Sequence, residues 1–263
     1  MRPLDELALH ARELRGVFCD IDDTLTHDGA LVPAAYAQLC ALVEAGLRVV
    51  PVTGRPAGWA AVLAAMWPVD AVVAENGAVA FVRAGRVVEA RFWDDEAARA
   101  SQHARLERLR AEAGARWPWA IAAGDQWQRL CDLAFDVGER QSLAPAQIAD
   151  LRGFIQAAGA RCLVSTVHAH AFFGEHDKAQ MAVRLARELW SEDLAAERAR
   201  YLFVGDSPND AAGFAYFPLS AGPSNVRRFA AELSPPPAFV APSPGGHGFA
   251  EIAAAVLGAL RSK

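Results

Sequence analysis

Short apolar runs alternate with stretches of helical composition along the first part of the chain. Gly16-Val-Phe-Cys-Asp20, residues 48–52 and residues 71–74 are each of strand length. They end in acids, in Thr53-Gly54 and in Glu75-Asn76-Gly77 respectively. Between them, residues 33–45 read as a helix stopped by Gly46, and residues 56–66 as a helix with Pro56 in its first turn. Strand, helix, strand, helix, strand predicts a parallel sheet with helices on its faces. The pattern changes near Arg86. A helix at 94–113, a Trp117-Pro118-Trp119 cluster, a strand at 129–137, a helix at 145–157 and a strand at 161–167 predict a mixed module with an antiparallel sheet. After Gly174 the first rhythm returns, with a helix at 177–190 that carries Met181, Leu185 and Leu189 on one face. A strand at 200–204 follows, then short strands near 217–221 and 238–240 and a helix at 248–260. The expected architecture is α/β: a doubly wound parallel-sheet core, residues 1–84 and 174–263, interrupted by an α+β domain, residues 85–173.

Composition narrows the function. The 263 residues carry 26 basic and 31 acidic side chains, a net charge of −5, which disfavours a nucleic-acid partner. At 53% apolar content a sizeable core is expected. No run of about 18 apolar residues predicts a membrane span, and the first residues have no apolar signal-peptide core. Cys19, Cys40, Cys131 and Cys162 lie far apart with no C-x-x-C pair, so reduced thiols and a cytoplasmic location are expected. The oligomeric state is left open.

The chemistry concentrates at strand ends. Asp20-Ile21-Asp22-Asp23-Thr24 places three carboxylates in four positions, which is unfavourable without a compensating cation. The C-terminal edge of a parallel sheet is where ligands bind, and oxygen donors of this kind suit Mg²⁺. An acidic turn with a helix cap is the plainer reading. Gly205-Asp206-Ser207-Pro208-Asn209-Asp210 puts two more acids after a second strand and supplies the remaining oxygens for one metal site. The chain has 24 arginines and only two lysines, Lys178 and the terminal Lys263. Lys178 begins the helix after the insert, where a compact charge would hold a phosphate and balance crowded carboxylates. For a cation at a helix start, away from the core, exchange for arginine is expected to change stability by about 1 kcal/mol or less. Thr53-Gly54-Arg55-Pro56 runs from a strand end into a helix and offers a hydroxyl and free N–H groups to an anion.

Asp20-x-Asp22-x-Thr24, Thr53-Gly-Arg55, the isolated Lys178 and Gly-Asp206-x-x-Asn209-Asp210 resemble the haloacid-dehalogenase-like phosphatases in all four motifs and their order. The resemblance spans residues 16–82 and 174–260. The place of the insert, Glu75-Asn76-Gly77-Ala78 and the ending Gly245-Gly-His-Gly-Phe-Ala-Glu251 resemble the type IIB branch, which includes Cof-like, sucrose-phosphate and mannosyl-3-phosphoglycerate phosphatases. Asp23 stands where glycine is more usual, which bears on the subfamily and not on catalysis. The resemblance implies Mg²⁺-dependent hydrolysis of a small phosphorylated metabolite, a sugar phosphate first, through an aspartyl-phosphate. Asp20 is then the nucleophile and Asp22 the general acid and base. The Asp20 carboxylate, the Asp22 backbone carbonyl and Asp206 hold the ion, helped by Asn209 or Asp210. Thr53, Gly54 and Lys178 bind the phosphoryl group. Thr24, Arg55 and Asn76 support the site, and Asp210 fixes Lys178. The rivals are a phosphomutase using the same aspartate pair and a non-catalytic phosphate-binding module, which has no need of Asp22. His168, His170 and His176, which straddle the junction of insert and core, read as ordinary structural residues rather than as a metal site or a linker face near the substrate, and Trp117, Trp119 and Trp127 as core of the insert rather than a sugar platform.

Overall fold

The computed structural model describes residues 1–261; Lys263 lies outside the described residues. The first part of the chain forms β1 (Arg2–Pro3), β2 (Gly16–Cys19), β3 (Thr26–His27), β4 (Ala30–Leu31), α1 (Pro33–Glu44), β5 (Arg48–Pro51), α2 (Ala57–Met66), β6 (Ala71–Ala74), β7 (Val79–Ala84) and β8 (Val87–Phe92). The insert forms α3 (Glu96–Arg116), β9 (Leu133–Asp136), α4 (Pro145–Ala157), β10 (Arg161–Val164) and β11 (His168–Phe172). The chain then builds α5 (Lys178–Trp190), α6 (Leu194–Glu197), β12 (Tyr201–Val204), α7 (Ala211–Tyr216), β13 (Leu219–Gly222), β14 (Phe239–Val240) and α8 (Gly245–Arg261). Among the described residues no helix is long and apolar enough to cross a membrane.

Six strands in the order β1-β14-β13-β12-β2-β5 form one parallel sheet. Its central strands read as continuous apolar runs because both faces are covered. One face packs Leu39 and Leu42 of α1, Ala60 and Ala64 of α2 and Ile252 and Val256 of α8. The other packs Met181, Ala182 and Leu185 of α5 and Phe214 of α7. Each such fully buried leucine contributes about 1.5–3 kcal/mol. The doubly wound core expected from the sequence is therefore present.

The third predicted strand differs in its surroundings. β6 touches the core sheet through a single parallel bridge, Val52 to Val73, and then pairs antiparallel with β7. β7 in turn pairs with β8 across a two-residue turn in which Gly85 takes φ 65°. Residues 87–92, expected in the insert, thus lie beside the core strands. Residues 79–82 are buried throughout, so they show none of the polar alternation that marks a half-exposed strand.

In the insert, β10-β11-β9 form an antiparallel sheet with α3 and α4 on one face. Leu133 and Phe135 of β9 and Ala169 and Ala171 of β11 point into this second core, with Leu106, Leu109, Leu151 and Ile155. Alternation along β11 sends His168 and His170 to the opposite, helix-free face. Both are nonetheless buried, because the α/β core covers that face.

Candidate active site

Asp20 follows β2 and Asp206 follows β12, and these strands are neighbours in register, Cys19 opposite Val204. The Asp20 N–H donates to the Val204 carbonyl at 2.8 Å, which fixes the two strand ends side by side. Thr53 follows β5 on the other flank, and its N–H donates to Val73. Lys178 is the first residue of α5, whose N-cap Asp177 accepts from the Gln180 N–H at 2.8 Å. All four motifs therefore meet at the C-terminal edge of the sheet, where the strand order reverses.

The Lys178 ammonium donates to Asp20 Oδ1 at 2.8 Å and to Asp210 Oδ1 at 2.7 Å, and the side chain is 0% exposed. Asp210 Oδ2 accepts the backbone N–H groups of Asp206 and Ser207. Asp206 accepts from Thr24 Oγ1 at 3.3 Å and from Asn225 Nδ2 at 2.9 Å. The Ser207 hydroxyl donates to Asn209 Oδ1, and Asn209 Nδ2 donates to Asn76 Oδ1 at 3.2 Å. The Thr53 hydroxyl accepts from the Arg55 N–H at 3.0 Å and keeps its own proton to donate.

Asp20, Asp206 and Asp210 each offer an oxygen within 4.8 Å of the others, and all three are buried. Lys178 alone cannot neutralise them. Burial pushes the Asp20 carboxyl up to about 8 against the pull of Lys178, and burial with Asp20 and Asp210 raises Asp206 well above the carboxylate range. Burial also opposes the charge on Lys178, yet Asp20 and Asp210 hold its pKa above the ordinary lysine value. A donor set of buried oxygens with excess negative charge fits a divalent cation.

Asp22 stands at the mouth of this cluster. Arg55 donates to both its oxygens, from Nε at 3.0 and 2.9 Å and from Nη2 at 2.8 Å. The same guanidinium donates to Glu139 of the insert at 3.0 Å and lies 3.6 Å from Asp125. Arg55 thus ties the core acid to the insert. A cavity at this junction is lined by Asp20, Asp22, Gly54 and Arg55 from the core and by Ser165, Thr166, His168 and His170 from the insert.

Glu75 makes the second tie. Its carboxylate, 0% exposed, accepts the N–H groups of Ala57, Leu130, Cys131 and Asp132 at 2.6–2.9 Å. Burial, reinforced by Asp132, raises its pKa to about 7. Glu75→Gln turns one acceptor oxygen into a donor facing two buried amides. Each group left unpaired costs about 1–3 kcal/mol, so we expect a loss of about 2–3 kcal/mol in urea unfolding. A change under about 0.5 kcal/mol would show that the tie is not holding the insert.

The structure brings Asp20, Asp22, Thr24, Thr53, Gly54, Arg55, Asn76, Lys178, Asp206, Asn209 and Asp210 to one locus. Asn225, Glu75, Glu139 and the insert's histidine face were not singled out as site residues from sequence. Asn225 carries no sequence signal, since it sits in a short 3-10 turn between β13 and β14 and donates to Asp206, 19 positions away, and to the Asp23 carbonyl, 202 positions away. His168 and His170 did carry one, in the alternation His-Ala-His-Ala. Trp117 and Trp119 stack on each other at 5.1 Å against the insert's core, and Trp127 is 81% exposed; none lines the cavity beside Asp20.

Residues 17–110 match the family model of haloacid dehalogenase-like hydrolases. No curated protein sequence matches the chain. Among solved structures, a Thermoplasma acidophilum protein superposes with a TM-score of 0.70 at 19% identity, covering 93% of this chain and 98% of its own. A sucrose-phosphatase from Synechocystis, solved with sucrose and phosphate, gives 0.66 at 15% identity, covering 93% and 98%. A phosphatase of the haloalkanoate (HAD) enzyme superfamily from Bacteroides thetaiotaomicron gives 0.61 at 16% identity, covering 92% and 93%. These are likenesses of fold, and they extend across the insert as well as the core. The match to the family model covers the first two motifs, and the fold agrees with these structures over nearly the whole length, so the chain is similar in both to haloacid dehalogenase-like hydrolases.

Proposed function

We propose that this protein is a Mg²⁺-dependent phosphomonoesterase acting on a small phosphorylated metabolite, a sugar phosphate first. The observation that carries the reading is the buried Asp20–Lys178–Asp210 contact, with Asp206 alongside and Asp22 held two residues from Asp20 by Arg55. A site for binding phosphate alone gains nothing from an aspartate at the nucleophile position or from a second one held beside it. The sucrose-phosphatase likeness supports a sugar phosphate as substrate.

In this reading Asp20 attacks phosphorus and the bond from phosphorus to the leaving oxygen breaks. The Asp22 carboxyl gives its proton to that oxygen as it leaves. Water then attacks the aspartyl-phosphate, its proton passes to the Asp22 carboxylate, and phosphate departs as Asp20 is restored. Arg55 sets the side-chain rotamer of Asp22. Thr53 and Lys178 donate to the phosphoryl oxygens, where the charge of the transition state is spread. Asp20 and Asp206 with the Asp22 carbonyl would hold Mg²⁺, which supplies charge neutralisation between the nucleophile and the phosphate dianion. Asp210, its oxygens engaged by Lys178 and two N–H groups, organises the cluster. The module from Glu96 to Phe172 acts as a cap that closes the cavity and selects the leaving group. Four free cysteines fit a reducing, cytoplasmic setting.

The test is phosphate release from a panel of phosphorylated metabolites with Mg²⁺. Activity is expected to vanish with chelator and to return with Mg²⁺. Ca²⁺ should replace it poorly, because its looser, higher coordination admits nonproductive carboxylate geometry. Full activity after exhaustive metal removal would overturn the metal assignment. Isomerised hexose phosphate in place of free phosphate would convert the reading to a mutase.

A further inference from the structure

His170 is 1% exposed on the helix-free face of β11, and its Nδ1 lies 2.8 Å from Asp132 Oδ2. Asp132 is fixed from three sides. Its carboxylate accepts from Arg129 Nη1 at 3.0 Å, its N–H donates to Glu75, and Arg129 Nη1 also donates to the Gly54 carbonyl at 2.9 Å. Burial opposes the charge on Asp132, but Arg129 and His170 hold its pKa at about 2, so it is an acceptor. His170 Nδ1 therefore carries the proton. Burial lowers the pKa of His170, against the pull of Asp132, which leaves Nε2 a bare acceptor.

That nitrogen faces the segment that joins β5 to α2. A β-carbon on Gly54 would stand 3.2 Å from His170 Nε2 and 3.2 Å from both terminal atoms of the Asn76 amide. Asn76 Nδ2 is itself buried without a partner. Nε2 accepts no hydrogen bond from the described residues, and His170 lines the same cavity as Asp20 and Asp22. An acceptor there needs a donor. A phosphate dianion has none to give, nor has an ionised nucleophile; a hydroxyl of the leaving group has one. Of the cations near the cavity, Arg55 is engaged by Asp22, Glu139 and Asp125, and Lys178, between Asp20 and Asp210, is taken by the transferring phosphoryl group in this reading. Among the described residues there, none is left over for a second anionic group.

We infer that His170, oriented by Asp132, accepts a hydrogen bond from a hydroxyl of the leaving group, and that the substrate is a phosphoester of a neutral polyhydroxylated alcohol. This rests on the phosphomonoesterase reading. The experiment compares kcat/KM for glucose 6-phosphate and cyclohexylmethyl phosphate, primary esters of the same ring size with and without hydroxyls. The wild-type chain is expected to favour the sugar by at least about tenfold, since a site built to bond a hydroxyl rejects the analogue lacking it. His170→Ala should shrink that preference to within about threefold, and His170→Gln, which keeps an acceptor, should restore part of it. Melting curves establish that both variants fold. Wild-type discrimination persisting in His170→Ala overturns the inference, as does a preference of about tenfold or more for glucose 1,6-bisphosphate over glucose 6-phosphate. If the wild-type chain cleaves p-nitrophenyl phosphate but does not discriminate the two esters, the phosphomonoesterase reading stands and the role of His170 falls. If it cleaves no phosphomonoester at all with Mg²⁺, both fall.

Discussion

Asp20→Asn is expected to end turnover, lowering steady-state phosphate release by at least about 10⁴-fold, the scale of losing a covalent nucleophile. The amide is nearly the same size and keeps an oxygen that can accept from Lys178, so the contact now at 2.8 Å has a partner after the change. It also removes one of three crowded carboxylates, which offsets the weaker bond to the ammonium. Stability should therefore stay within about 1 kcal/mol, since strained functional sites lose little when their crowding is relieved. The measurement is phosphate release by purified protein beside a thermal melt. Substantial turnover by a folded Asp20→Asn protein removes Asp20 from the nucleophile's place.

Much of the site is legible because its chemistry sits where simple patterns end. Residues 16–19 and 201–204 are buried along their whole length, so each appears in the sequence as an apolar run with an acid at its end. Parallel pairing then brings Asp20 and Asp206 together without further information. What is hidden depends on contacts between distant segments. Residues 129–137 have strand composition, yet the strand begins only at Leu133. The amides of Leu130, Cys131 and Asp132 are taken instead by Glu75, some 55 positions earlier, and no local pattern encodes that. Residues 161–167 likewise read as one strand, while the chain turns after Val164 and returns as β11. That return turns the alternating histidines toward the core. Hairpin β7–β8 is masked for the opposite reason, since burial on both sides of residues 79–82 erases the alternation.

Lys178 shows both sides of this, and its replacement is the second large effect expected. Its isolation among 24 arginines marks it in the sequence. Its environment does not show there: a residue at a helix start reads as solvated, and a stability change of about 1 kcal/mol or less was the natural expectation for exchange with arginine. In the structure it is 0% exposed, one helix turn from the buried Met181 and Ala182, with Asp20 and Asp210 at 2.8 and 2.7 Å. Lys178→Arg keeps the charge but forces a planar, bulkier fork into that space. Overpacking of this kind costs about 1–3 kcal/mol. Misplacing the donor to the phosphoryl oxygens should lower kcat/KM by at least about 10²-fold. Lys178→Met keeps the length and removes the charge, leaving Asp20 and Asp210 without their partner. Breaking a buried pair in this way costs about 3–5 kcal/mol, and activity should fall at least as far as with arginine. Urea unfolding and kcat/KM measured together separate the two terms. An arginine variant with near-wild-type turnover and a methionine variant with unchanged stability would mean that Lys178 neither binds the phosphoryl group nor balances the acids. The cation that the three carboxylates require would then have to come wholly from the bound metal.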